Sequence, residues 1–173
     1  MMQALRGLDR AAARIEDGLL IVMVAVIAIL LGAGVVLRYV FNDPLTWSEE
    51  FVVTLFVWSV MLGVPSALRA RMHIRIDVLI LRLGPAARRK VGTLAVACGA
   101  VILVAAIYAG WVHTAGVWGS QTPMLGYSVG WIFVSMPIGF ALALFHAAMI
   151  LLDEGPEAVF RNATETVVDA AQV

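Results

Sequence analysis

The sequence predicts an all-α integral membrane protein with four transmembrane helices, cytoplasmic N- and C-termini, and amphipathic interfacial helices. Of its 173 residues, 62% are hydrophobic and 14% are charged, whereas an average soluble domain is about 45–50% apolar and about 25% charged. A short soluble chain cannot cover that much apolar surface with polar groups. The single cysteine excludes an internal disulfide framework. Twelve basic and twelve acidic residues cancel, so the charge indicates no nucleic-acid partner.

Four stretches without a charged residue predict the spans. At ~1.5 Å per residue they reach roughly 27–39 Å, enough to cross a hydrocarbon core about 30 Å thick. They divide the chain into an N-terminal amphipathic segment, a four-helix membrane domain and a tail. The segment is 1–17, the membrane domain is 18–152 with spans at about 18–37, 51–68, 91–112 and 127–152, and the tail is 153–173.

The basic residues predict the orientation. The N-terminal segment, the second loop and the tail together hold eleven lysines and arginines, while the first and third loops hold one, Arg38. Because positively charged loops stay on the cytoplasmic side, both termini and the second loop are expected in the cytoplasm.

The second loop carries a helical apolar stripe. Its apolar residues recur at i, i+3, i+4 and i+7, which is typical of a helix with one apolar face. We expect a short amphipathic helix over 72–83, lying in the membrane interface with its arginines near lipid phosphates. The stripe consists of Ile76, Leu79, Ile80 and Leu83.

Two capping patterns mark the start of the second helix. Asp43 before Pro44 matches an N-cap followed by proline at the first helical position. Alternatively, Thr46 and Glu49 form a capping-box pattern.

The first loop also holds charges of both signs. Arg38 can pair with Glu49 or Glu50 across the loop, or these groups can bind another subunit. Sequence alone favours the structural interpretation.

The spans contain few side chains that could bind an ion or a cofactor. No Asp, Glu, Lys or Arg lies inside them, although ion-coupled transporters commonly place such groups there, so an autonomous pump is disfavoured. His113 and His146 differ in depth by roughly 20 Å, too far apart to bracket one haem iron. We interpret His146 as a hydrogen-bonded interior residue and expect no cofactor, metal or catalytic site.

Small residues at four-residue spacing indicate close helix packing, within the chain or against another. The pairs are Ala28 with Gly32, Ala95 with Gly99, Ala106 with Gly110, and Gly126 with Gly130.

Several short motifs resemble the small permease (DctQ-like) subunit of tripartite ATP-independent periplasmic (TRAP) transporters. The resemblance runs from about residue 15 to 152. At Gly130 it leads us to expect a proline instead. The motifs are RYVFN at 38–42, Trp47, Glu49-Glu50, Gly63, Arg69, His73–Asp77, Ser120–Pro123 and Pro137–Gly139.

The resemblance implies a non-enzymatic subunit of the bacterial inner membrane. Its expected partners are a large permease subunit, a periplasmic substrate-binding protein and membrane lipids. The implied activity is sodium-driven uptake of an organic acid, with the small subunit as a fixed scaffold. The alternatives from other classes are a membrane anchor of a redox enzyme and a stand-alone channel or exporter. The candidate subunit-interface residues are Arg38, Tyr39, Asn42, Trp47, Glu49, Glu50, Arg69, His73 and Asp77.

Overall fold

A computed structural model describes residues 2–70 and 85–155 of the chain. These residues form helices, and four helical segments are long and apolar enough to cross a membrane. The predicted all-α fold with four spans is therefore confirmed. The amphipathic helix expected over 72–83 and most of the tail lie outside the described residues. The helices are α1 (Met2–Tyr39), α2 (Thr46–Arg69), α3 (Pro85–Val117), α4 (Gly130–Phe133) and α5 (Ser135–Glu154).

The long helices pack side by side in the order α1, α2, α5, α3. Among the described residues α1 and α3 make no extensive contact with each other, so this is an open arrangement and not a closed bundle. Few hydrophobic side chains are consequently buried. In the described part of the chain they are Leu62, Ala143 and Met149, beside the buried ring of Pro65. Within lipid, such helices associate by van der Waals packing and interhelical hydrogen bonds.

The row of helices has two ends, which differ in the chain segments located there. We call the end with Met2 and Gly155 the terminal end, and the end with segments 40–45 and 118–129 the loop end. Helix α1 has 38 residues and is therefore ~57 Å long. It continues without a break from the N-terminal segment into the first span. The cytoplasmic position of the terminal end stays a prediction.

Helix α2 begins without either of the expected caps. Its N-cap residue is Leu45, and no side chain caps it, so both capping predictions are wrong. The loop is used differently: the Asp43 N–H donates to the carbonyl of Leu37, 3.0 Å away, at the end of α1. Asn42 precedes it with a φ of 54°, a left-handed conformation that asparagine tolerates well. Asn42 and Asp43 therefore terminate α1, and Asp43 does not cap the first turn of α2.

The fourth span starts at Gly130 and is interrupted at Val134. Pro137 explains the interruption, since it has no N–H to donate to the carbonyl of Phe133 one turn earlier. Gly130 itself lies against an indole ring. A Cβ at this position would be 2.4 Å from Cε3 of Trp118, which explains why a glycine stands where the resemblance suggested proline.

Helices α2 and α5 lie very close together at Gly139. A Cβ there would lie 2.5 Å from the carbonyl oxygen of Met61. That carbonyl has no helical partner, because Pro65 occupies the position that would donate to it. Gly139 therefore lets the α5 backbone pack directly on a backbone oxygen of α2.

The small-residue pairs have two outcomes. Gly110 packs against α5, where its Cβ would be 3.1 Å from Pro137 Cδ, and Gly130 packs against Trp118. Gly32 and Gly99, in contrast, face open space. Close packing within the described residues is therefore confirmed at Gly110 and Gly130. Packing of Gly32 or Gly99 against another chain stays a prediction.

Candidate subunit interface

The first loop presents an exposed rim at the loop end. Arg38 forms an ion pair with Glu49, one of the two pairings that the sequence left open. The side chains of Arg38 and Glu49 are 52% and 67% exposed, so this pair contributes little to stability. Tyr39 and Trp47 are exposed beside them. These groups are accessible to a partner protein.

Glu50, unlike Glu49, bonds to the backbone of another segment of the chain. Its carboxylate accepts hydrogen bonds from the backbone N–H groups of Met124, at 3.0 Å, and Leu125, at 2.8 Å. Both belong to the tight turn before α4, in which Gly126 has a φ of 69° and Gln121 bridges to Ser128. A charge-assisted bond of this kind is stronger than a neutral one. The hydrogen bonds of Glu50 therefore connect α2 to the loop before the fourth span.

Two further contacts extend this connection down α2. The hydroxyls of Thr54 and Tyr127 are hydrogen bonded, and the indole N–H of Trp58 donates to the carbonyl of Trp131, 2.9 Å away. Together with the Glu50 bonds they form what we call the loop brace. The loop brace holds α2 against the segment 124–131.

At the terminal end, Arg69 joins α2 to α1. Its guanidinium donates to the carboxylates of Glu16 and of Asp17, 2.7 Å away. The Glu16 side chain is 4% exposed, whereas that of Asp17 is 55% exposed. Ser66, one turn earlier in α2, also donates to Asp17, at 3.0 Å. A buried carboxylate is tolerated only when paired, and Arg69 pairs Glu16.

His146 brings α5 into the same arrangement. Its ring is fully buried, with Nδ1 2.6 Å from Asp9 Oδ1 and Nε2 2.9 Å from Glu16 Oε1. The Nη1 atom of Arg69 lies 3.0 Å from the same Nε2. The interpretation of His146 as a hydrogen-bonded interior residue is confirmed.

These side chains join three helices, and we call them the terminal cluster. Arg69 was predicted as a candidate interface residue, without its acidic partners. A signal was present: Glu16 and Asp17 directly precede the first apolar run and Arg69 directly follows the second, so antiparallel neighbours place them at one depth. The cluster consists of Asp9, Glu16, Asp17, Ser66, Arg69 and His146.

The nine candidate interface residues do not form one surface. Helix α2 has 24 residues, so its two ends are ~36 Å apart. Arg69 lies at the terminal end, partly buried in the cluster, and His73 and Asp77 lie outside the described residues. The candidates at the loop end are Arg38, Tyr39, Asn42, Trp47, Glu49 and Glu50.

Within residues 2–70 and 85–155, no group of three His, Cys, Asp or Glu side chains is arranged to hold a metal ion. His113 packs edge-on against Phe133, with ring centroids 4.5 Å apart, near the loop end. His146 is at the terminal end, so these two histidines cannot share a ligand.

Comparison with known proteins matches this chain to one family, and similar proteins carry related names. Residues 19–154 match the family described as "Tripartite ATP-independent periplasmic transporters, DctQ component". A C4-dicarboxylate TRAP transporter small permease protein from Vibrio cholerae is 29% identical, over 79% of this chain and 69% of its own length. The corresponding protein from Pseudomonas aeruginosa is 26% identical, over 86% of each chain.

A longer protein also contains a similar segment. The sialic acid TRAP transporter permease protein SiaT from Haemophilus influenzae is 32% identical over 70% of this chain, and the match covers 20% of SiaT. All three relatives carry transporter names, so they lend no support to the alternative of a redox-enzyme anchor.

Proposed function

This chain belongs to the family of DctQ components, the small permease subunits of TRAP transporters, and we propose that it is the fixed scaffold of a large permease subunit. Such subunits are not enzymes, and this one is a multi-pass protein of the bacterial inner membrane. We further propose that the assembled transporter takes up an organic acid delivered by a periplasmic binding protein, driven by a sodium gradient.

The observation that carries the scaffold role is that polar contacts brace the helices at both ends. The terminal cluster joins α1, α2 and α5, and the loop brace joins α2 to the segment before α5. Between these ends the spans contain no Asp, Glu, Lys or Arg that a transported ion could use. A subunit held in this way is suited to stay still while another part of the transporter moves.

The open arrangement supports a large membrane partner. The edge helices α1 and α3 expose most of their apolar residues, and a contiguous apolar surface of this size is covered by lipid or by protein. The alignment with one fifth of SiaT indicates that a segment like this chain also occurs within a longer permease. We propose that the exposed rim around Arg38, Tyr39, Asn42, Trp47 and Glu49 contacts the large permease or the docked binding protein.

The substrate proposal rests on the names of the relatives. C4-dicarboxylates and sialic acid, which those names give, are both organic acids. Since the polar clusters of the described residues lie at the two ends of the helices and their groups pair with each other, we place the substrate and sodium sites in the large subunit.

Reconstitution tests the proposal. Proteoliposomes with the large permease, the binding protein and this chain are expected to accumulate a labelled acid under an inward sodium gradient. Vesicles that lack this chain should show reduced uptake, and vesicles containing only this chain should show none. Uphill accumulation by the chain alone would refute the scaffold role.

A cross-link tests whether α1 and α5 of the subunit stay fixed relative to each other during transport. Arg6 and Asp153 form an ion pair between α1 and α5, so Arg6→Cys with Asp153→Cys, in a Cys98→Ala background, can be bridged by a short bis-maleimide. A scaffold that does not move should support unchanged uptake after bridging. Each single-cysteine variant controls for the modification itself, and loss of uptake only in the bridged protein would contradict the proposal.

A further inference from the structure

A groove opens between α1 and α2 at the loop end. It encloses about 190 Å³, and its walls are formed by aliphatic residues of both helices, among them Leu30 and Val35 of α1 and Val52 of α2. Gly34 forms part of the wall, and a Cβ built on it meets no atom within 4 Å. The groove is therefore apolar and accessible from the membrane.

The mouth of the groove is charged. Arg38 and Glu49 both line it and pair with each other there. Leu30 lies eight residues before Arg38, so the apolar wall extends ~12 Å along α1 from the charged pair. A polar mouth above an apolar channel of this length fits a lipid, whose headgroup and acyl chain have the same order. A small organic acid would leave the apolar wall unfilled.

The charges of the mouth select among headgroups. A guanidinium has five N–H donors, and in the described part of the chain the side chain of Arg38 bonds only to Glu49. Arg38 can therefore also bind a lipid phosphate, in the planar geometry that arginine favours. The carboxylate of Glu49 is 67% exposed beside Arg38 and can accept from a second cationic donor, which the primary ammonium of phosphatidylethanolamine supplies.

We propose that the groove between α1 and α2 is a binding site for phosphatidylethanolamine, with its phosphate on Arg38, its ammonium on Glu49 and an acyl chain along Gly34. Phosphatidylglycerol has no cation for Glu49. Phosphatidylcholine carries a trimethylammonium group without N–H donors. Both are bound more weakly than phosphatidylethanolamine.

Native mass spectrometry of the full-length chain, released from micelles containing equal amounts of the three lipids, tests the site. The decisive variant is Gly34→Leu, whose side chain projects into the groove and fills it. Gly32→Leu is the matched control, because Gly32 also faces open space but does not line the groove. Thermal unfolding of both variants in lipid-free micelles verifies that they fold.

We expect one retained phosphatidylethanolamine on the unmodified chain and on Gly32→Leu, and about tenfold less on Gly34→Leu. Arg38→Met and Glu49→Gln should each lower retention about tenfold, the effect of losing one charge-assisted hydrogen bond. Glu49→Gln should also abolish the preference over phosphatidylglycerol. Equal retention of the three lipids, or unchanged retention by Gly34→Leu, would identify adventitious annular lipid only and overturn the proposal.

Discussion

Replacing Arg69 by methionine gives the sharpest test of the terminal cluster. Methionine keeps the apolar stem of the side chain but removes the guanidinium, which leaves the buried carboxylate of Glu16 without its cation. Removing one partner of a buried ion pair costs about 3–5 kcal/mol. The exposed bond to Asp17 adds less than about 1 kcal/mol. We therefore expect Arg69→Met to lower the free energy of unfolding by about 4 kcal/mol.

Arg38→Met is the matched control for this substitution. It removes the same chemical group from an ion pair that is more than half exposed on both sides, so the expected loss is below about 1 kcal/mol. Unfolding of each purified variant in mixed micelles with increasing sodium dodecyl sulfate, followed by tryptophan fluorescence, gives both values. The predicted difference of about 3 kcal/mol is roughly a hundredfold in the unfolding equilibrium.

A second substitution identifies the cause of the loss. Glu16→Gln removes the charge that Arg69→Met leaves unpaired, so the double variant should be more stable than Arg69→Met alone. Equal losses for Arg69→Met and Arg38→Met, or strictly additive effects in the double variant, would show that burial of Glu16 does not govern the stability of this end.

Three further substitutions, with two control substitutions, test local contacts. Glu50→Gln should speed amide hydrogen exchange in the turn before α4 about tenfold, because a charge-assisted bond is weakened, while Glu49→Gln should leave this exchange unchanged. Gly130→Ala places a Cβ 2.4 Å from an indole ring and should lower the free energy of unfolding by about 1–3 kcal/mol. Gly139→Ala meets a backbone oxygen at 2.5 Å and should cost at least as much. Gly99→Ala meets nothing within 4 Å, so it should be neutral or stabilising by up to about 1 kcal/mol, and a loss equal to that of Gly139→Ala would contradict both assignments.

The number of spans could be predicted because it depends on local composition. A stretch of about 20 residues without charge is long enough to cross a bilayer whatever its neighbours are. The pair between Arg38 and Glu49 was also accessible to sequence reasoning, since only 11 positions separate the two. Features that depend on the length of an apolar stretch, or on pairing between residues close in sequence, can therefore be predicted from the sequence.

The contacts that fix the arrangement could not be predicted in the same way. Arg69 and Glu16 are 53 positions apart, and His146 and Asp9 are 137 apart, so their pairing depends on which helices are neighbours. The capping predictions failed for a related reason. Asp43 has the right side chain for an N-cap, but its backbone closes α1, and sequence pattern does not reveal which of two helices a loop residue serves.

The order α1, α2, α5, α3 follows from how helices associate in lipid. Apolar side chains gain little by leaving lipid for another helix, so specific contacts must select the neighbours. Here the close backbone approaches at Gly139 and Gly110 lie between neighbours in the row. The polar contacts at the ends join α1 to α2 and α2 to the segment before α5, and at the terminal end they also join α1 to α5, which is not its neighbour in the row. The outer faces of α1 and α3 take no part in this selection. Their residues are exposed and available for contact with a membrane partner, which the proposed scaffold role requires.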